Sequence, residues 1–205
     1  MPSVSPQIGE KPEPLPQLPG AEQEAIEVAS ILNTKAITGK QGTKSAIVTK
    51  MPSARIIHLA THGLLDDIRG LGSAIALAPD SQPLALTKAG AGGVNGLLTA
   101  EEILNLKLNA ELVVLSACDT GRGRITGDGV IGLSRALISA GVPSVIVSLW
   151  SVPDAPTATL MTNFYQNLQK YPDKAQALRQ AMLTTLKQHP NPKNWAAFTL
   201  IGEAE

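Results

Sequence analysis

The chain has 205 residues, with 17 basic and 17 acidic side chains, one cysteine and three histidines. That length suits one compact α/β domain, or at most two small ones, with a substantial core, and the zero net charge leaves no electrostatic footprint for nucleic acid or an anionic membrane. Aromatic residues at 3% give few platforms for stacking bases, and a lone cysteine excludes an internal disulfide and a cysteine-rich zinc site while fitting a reducing, cytoplasmic setting.

Residues 1–20 carry six of the fifteen prolines. Proline locks φ and lacks an N–H donor, so this stretch reads as an extended leader or linker without regular structure, followed by a domain over 21–205. Nothing at the start resembles a secretion signal. From Glu22 to Leu32 the pattern predicts a helix with Ile26, Ala29 and Leu32 on one face. Thr43 suits the cap of a short helix ending near Met51-Pro52. Arg55 to Thr61 reads as a buried strand that runs into a sharp turn at His62-Gly63. Gly72 to Leu77 predicts a neighbouring strand, and 78–97 a long loop. Thr99 and Glu102 have the spacing of a capping box.

Glu111 to Ser116 is the clearest buried strand, and it leads directly to Ala117-Cys118 and then to a polar, glycine-rich loop. Val130 to Ala140 predicts a helix with Val130, Leu133 and Leu137 facing the core, stopped by Gly141-Val142-Pro143. Ser144 to Leu149 reads as a strand, Pro156 to Lys170 as a helix, and Asp173 as the cap of a last helix to Gln188; Trp195 to Ile201 closes as a strand. The uncharged stretch Ala136 to Pro153 has the length of a membrane span, but its glycine and prolines make it a helix end, a turn and a buried strand. Strands that are apolar throughout and alternate with helices predict a mostly parallel sheet with helices on both faces.

In such sheets chemistry collects beyond the carboxyl ends of the strands. Cys118 ends one strand and His62 ends another, 56 residues earlier. A thiolate and an imidazole are the minimum for nucleophilic acyl transfer: sulfur attacks, and the ring shuttles the proton to the leaving group. Arg122 and Arg124 lie close enough in sequence to favour the thiolate. His58, inside its strand, reads as a core histidine with satisfied hydrogen bonds, and His189, flanked by proline, as surface. The histidines lack metal-ligand spacing, so no metal site is expected, and no cofactor. Gly127 to Gly132 spells GxGxxG, but it begins about ten residues after the strand end, too late for a dinucleotide fingerprint.

The blocks IIHLATHG and LVVLSAC resemble the paired motifs of caspase-like cysteine peptidases. Together with LPGAEQEA, SACDTG, GDGVIGLSRALISAGVPSVIVSLWSVPD, FYQNL, ALRQAM and WAAFTLIG, they resemble, from about Leu18 to Gly202, the CHAT domain, a caspase-like module of bacterial proteins that often follows tetratricopeptide repeats. The resemblance implies an α/β caspase-like sandwich and a cysteine endopeptidase acting on protein or peptide substrates. His62 would be the general acid/base and Cys118 the nucleophile, with the backbone N–H groups of Gly63 and Cys118 as the oxyanion hole. Asp154, and more weakly Asp119, would line the S1 pocket and favour a basic P1 residue; the rival reading of Asp154 is a carboxylate at a helix N-terminus. Because family members usually carry further sequence upstream, the resemblance also implies regulation by a missing segment or a tetratricopeptide-repeat partner. The alternative function is a catalytically silent or partner-activated interaction module. A basic-specific peptidase could cut itself at Lys88, Arg122 or Arg124.

Overall fold

The structure, a computed structural model, describes residues 3–4, 13–64, 73–80, 95–116, 118–119 and 127–205; at 3–4, 13–14, 118–119 and 127–130 it describes the backbone alone. Lys88, Arg122 and Arg124 lie outside the described residues, as does the side chain of Val130.

The proline-rich start contains a short antiparallel pair, β1 (Ser3–Val4) and β2 (Glu13–Pro14), where no regular structure is expected from the sequence. Proline is tolerated there because an edge strand need not donate on its open side. Helix α1 (Pro19–Ile31) starts before the expected Glu22. Its proline sits in the first turn, where a missing N–H costs nothing because the first amides of a helix have no partner within it. The buried face is also rotated from expectation. Ala21, Glu24, Val28 and Ala29 are buried, whereas Ile26 is 48% exposed. A glutamate therefore occupies the centre of the core-facing stripe.

Thr43 caps α2 (Lys44–Lys50) by accepting from the Ala46 N–H, as its position predicts. The next strand is shorter than expected and is followed by a second one. Strand β3 (Ile56–Leu59) is succeeded by β4 (His62–Leu64), so His62-Gly63 lies inside a strand and not in a turn. The next strand in sequence supplies β4 with one of its partners. Strand β5 (Ala74–Ala76) pairs with it antiparallel and also with β6 (Leu97–Thr99), a strand that begins at the last residue of the expected loop. The capping box at Thr99 and Glu102 is present and opens α3 (Ala100–Leu104).

Strand β7 (Leu112–Leu115) is buried along its whole length. It is followed by β8 (Cys118–Asp119), α4 (Gly127–Ser139) and β9 (Ser144–Ser148). The first glycine of the GxGxxG string is already helical, far from the strand end that a dinucleotide turn needs. Helices α5 (Asp154–Leu168) and α6 (Lys174–Gln188) and strand β10 (Phe198–Gly202) complete the chain. Asp173 caps α6 by accepting from the Gln176 N–H.

The central sheet has the order β10-β9-β7-β3. Its inner pairs are parallel, and β10 runs antiparallel at one edge. Alternation along each strand separates two cores. Leu112, Val114 and Ile146 face α1, α5 and α6, where Val28, Leu160, Phe164, Tyr165 and Leu178 meet them. Val113, Leu115, Val145 and Val147 face the other way, toward Ile103 of α3 and Leu133 and Leu137 of α4. Helices thus cover both faces of a mostly parallel sheet. The smaller sheet β6-β5-β4-β8 extends from the strand ends and adds Ile75 and Leu98 to the α4-side core. Among the described residues, no helix is long and apolar enough to cross a membrane.

The turn after α4 depends on one glycine. Gly141 has φ +110, and a Cβ there would stand 2.7 Å from the Leu108 carbonyl oxygen. Gly141→Ala should therefore lower stability by about 1–3 kcal/mol, through a backbone angle that alanine resists and a contact with main chain that cannot give way. Urea unfolding should show this as a lower midpoint at unchanged slope.

Candidate functional site

The pairing that assembles the site is continuous. Between β3 and β7 the partners run from Ile56 with Leu112 to Leu59 with Leu115, in parallel. Between β4 and β8 they are His62 with Cys118 and Gly63 with Asp119, again parallel. The offset is 56 residues throughout, so β4 and β8 continue the ladder that β3 and β7 begin. The Ser116 N–H donates to the Leu59 carbonyl and links the two segments. Register partners in neighbouring strands are separated by roughly 5 Å in the backbone. His62 and Cys118 are therefore adjacent positions of one sheet, reached from distant parts of the chain.

The His62 side chain is buried, with 6% of its surface exposed. Its Nε2 lies 2.7 Å from the Pro16 carbonyl oxygen. A carbonyl only accepts, so Nε2 carries the proton and donates. In the neutral ring this leaves a lone pair on Nδ1, and Nδ1 has no hydrogen-bond partner among the described residues. The Oγ of Ser116, at the end of β7, is likewise buried without one. Buried polar atoms without partners are rare in folded proteins, and two of them flank this seam.

Pro16 reaches His62 through a strap that leads into α1. Leu15 is buried at 3% exposure and anchors the strap. Leu18 is the residue before the helix and accepts from the Ala21 and Glu22 amides. The Gly20 N–H donates to Oδ2 of Asp154 at 3.3 Å. A Cβ at Gly20 would stand 2.2 Å from the Asp154 Cβ, so only glycine lets α1 approach α5 this closely. Asp154 is half-buried and is the first residue of α5. Its carboxylate thus lies at a helix N-terminus, as one of its two sequence readings has it, and against the first turn of α1. Gly63 lies in β4 between β5 and β8, so its amide points within the sheet plane. Asp119 is its register partner.

His58 stays apart from this seam. Its Nε2 is 2.8 Å from Oε1 of Glu24, and its Nδ1 is 3.2 Å from the Tyr165 hydroxyl. It is a core histidine with satisfied hydrogen bonds, as expected. His189 is the half-buried residue that ends α6. Pro16 and Glu24 escape sequence reasoning for different reasons. The Pro16 carbonyl is backbone, which any residue could supply. Glu24 carried a signal, a charge three residues after Ala21 and four before Val28 on the buried face, but that signal is legible only once the face is known.

Known proteins of two kinds match this chain. It is 31% identical over 214 residues to tetratricopeptide repeat protein 28 of Mus musculus and 33% identical over 215 residues to the Homo sapiens protein of the same name. Each match takes in 90% of this chain and 8% of the relative, so the chain spans a small part of these proteins. Both are mammalian, so the module is not confined to bacteria. Among solved structures, the Arg-specific cysteine proteinase gingipain R superposes with a TM-score of 0.60 at 13% identity, over 89% of this chain and 41% of that one. That likeness establishes the caspase-like α/β fold. The family model of the CHAT domain matches residues 8–203, nearly the whole chain, and the chain belongs to the CHAT domain family.

Proposed function

We propose that the chain is a cysteine endopeptidase that cleaves protein substrates through a Cys118–His62 dyad. The observation that carries this reading is the register pairing of Cys118 with a buried His62 whose Nε2 is engaged by Pro16 and whose Nδ1 has no partner among the described residues. A ring held in that tautomer has one nitrogen available for proton transfer.

The reaction would run as acyl transfer. His62 takes the Cys118 thiol proton on Nδ1, the resulting thiolate adds to the scissile carbonyl carbon, and the oxygen becomes an oxyanion. The Cys118 amide, on the edge strand β8, would stabilise that charge, a contribution of a few kcal/mol per donor, while the Gly63 amide would have to leave its place between β5 and β8 to join it. Protonated His62 then gives its proton to the leaving amine, the C–N bond breaks, and a thioester remains. Water, deprotonated by His62, adds to the thioester and releases the acid and the free thiol. The Pro16 carbonyl would hold the ring in place, a role that a carboxylate fills in a triad.

For specificity, we place Asp154 and Asp119 in the S1 pocket with a preference for Arg or Lys. The net charge is zero, so any electrostatic selection must come from such local carboxylates. The neighbour of similar fold is named an Arg-specific cysteine proteinase. A peptide-library profile is expected to show cleavage after basic residues; equal cleavage after apolar ones would remove Asp154 and Asp119 from this role.

The test of the chemistry is an electrophilic peptide probe with arginine at P1. The folded protein should take up one equivalent on Cys118, read by mass spectrometry of the intact chain and its peptides. Labelling that appears only after unfolding would overturn the peptidase reading. A second reading, a CHAT module silent until a repeat region acts on it, is favoured by the relatives. They are named for tetratricopeptide repeats, and this chain matches 8% of the length of each. Labelling that requires an added repeat segment would select it.

A further inference from the structure

Glu24 is 1% exposed and sits in the apolar face of α1. Burying a carboxylate is costly unless it is paired, and an apolar residue of similar volume often serves stability as well or better. Its partners are directional. Oε1 of Glu24 meets Nε2 of His58 at 2.8 Å, and Nδ1 of His58 meets the Tyr165 hydroxyl at 3.2 Å. The His58 and Tyr165 rings also meet edge to face, with centroids 5.5 Å apart. Burial, and then the Glu24 charge, push the Tyr165 phenol far above its ordinary range, so it keeps its proton. A neutral His58 satisfies both contacts at once, accepting from Tyr165 and donating to Glu24. The contact ties α1, β3 and α5 together at one point.

That point lies one helical turn from Gly20, where α1 touches Asp154. Three residues before the first residue of the helix, the Pro16 carbonyl meets His62. His58 itself belongs to β3, whose next strand begins at His62. Both groups of the His62–Pro16 hydrogen bond are therefore attached to elements that the Glu24–His58 contact holds in register. Apolar packing alone would let α1 slide or turn by a fraction of a residue; two directed hydrogen bonds do not.

We propose that Glu24, His58 and Tyr165 are positioning residues for His62, seating α1 so that the Pro16 carbonyl holds the His62 ring with its proton on Nε2. The inference rests on the reading of His62 as the general acid/base.

The experiment uses full-length protein labelled with nitrogen-15 in its three histidines. Long-range proton–nitrogen spectra, recorded well above the ordinary histidine pKa of about 6.5, report the tautomer of each ring. In the wild type, His62 should show the proton on Nε2. Glu24→Leu removes the acceptor and keeps the volume, and it should give His62 a mixture of tautomers. It should also lower kcat by up to about 100-fold, as small misplacements at an active site do, with KM changed much less. Glu24→Gln, which can still accept from His58, should restore most of both. If Glu24→Leu does not fold, Tyr165→Phe removes only the hydroxyl and should shift both readouts in the same direction. A folded Glu24→Leu or Tyr165→Phe protein with the wild-type His62 tautomer and kcat overturns the proposal. The tautomer is read without turnover. A tautomer shift in a protein that never cleaves or labels would uphold the positioning role and sink the peptidase reading instead.

Discussion

Cys118→Ala should reduce peptide cleavage to background and abolish covalent labelling. Removing a catalytic nucleophile from an enzyme of this kind costs on the order of a million-fold in kcat. For His62 the choice of substitution matters. His62→Ala removes proton transfer, worth about 100- to 10,000-fold. It also empties a buried position and leaves the Pro16 carbonyl without its donor. Losing that hydrogen bond costs a further ~1–3 kcal/mol of stability. Because the ring is buried and hydrogen-bonded, His62→Ala changes the fold's stability as well as the chemistry. His62→Gln separates the two effects, because its amide can still donate to Pro16 but cannot shuttle a proton. Cleavage by His62→Gln should fall as far as in His62→Ala, while its urea midpoint stays near that of the wild type. Wild-type turnover in either the Cys118 or the His62→Gln variant would end the dyad mechanism.

Phe164→Ala should be among the most destabilising single changes in the chain. The ring is fully buried beneath the central sheet and meets Tyr165 edge to face at 5.0 Å between centroids. Truncating a core phenylalanine costs about 3–5 kcal/mol, because the lost transfer free energy is joined by a cavity that neighbours fill only in part. Against a total of about 5–15 kcal/mol for a typical domain, that is a large fraction. For a chain of this size the melting temperature should fall by about 10 °C. The consequence for function is specific to this position. Phe164 belongs to the layer of α1, α5 and α6 that carries the strap onto His62, so catalysis in the variant should fail at a lower temperature than in the wild type. A midpoint shift corresponding to less than about 1 kcal/mol would mean that this layer tolerates a void and does not hold the strap as tightly as the packing indicates.

Much of this architecture was legible in the chain. Apolar runs such as Leu112 to Leu115 and Val145 to Val147 are unambiguous because a strand buried on both faces has no polar alternation to confuse it. Thr43, Thr99 and Asp173 marked helix starts because their side chains satisfy amides that every helix leaves open. Local chemistry decides such features, and local chemistry is what a sequence displays. The expectations that failed depended on distant partners. Ile26 looked like a core residue until α5 and β3 turned the other side of α1 inward and made Glu24 the buried one. His62-Gly63 looked like a turn until β5 and β8 supplied hydrogen-bond partners on either side and made it a strand.

The candidate site divides in the same way. Sequence by itself determined which residue types are present to react, since one cysteine and three histidines leave few choices, and it determined that Cys118 and His62 both stand at the ends of apolar blocks. Only the tertiary structure decided that the 56-residue interval is a ladder register, that Nε2 of His62 is the engaged nitrogen, and that a backbone carbonyl from the proline-rich strap engages it. The physical reason is range. Residue identity and local periodicity follow from a few neighbours along the chain, whereas hydrogen-bond partners, burial and ring tautomer follow from groups that meet only when the whole sheet and its helices close together.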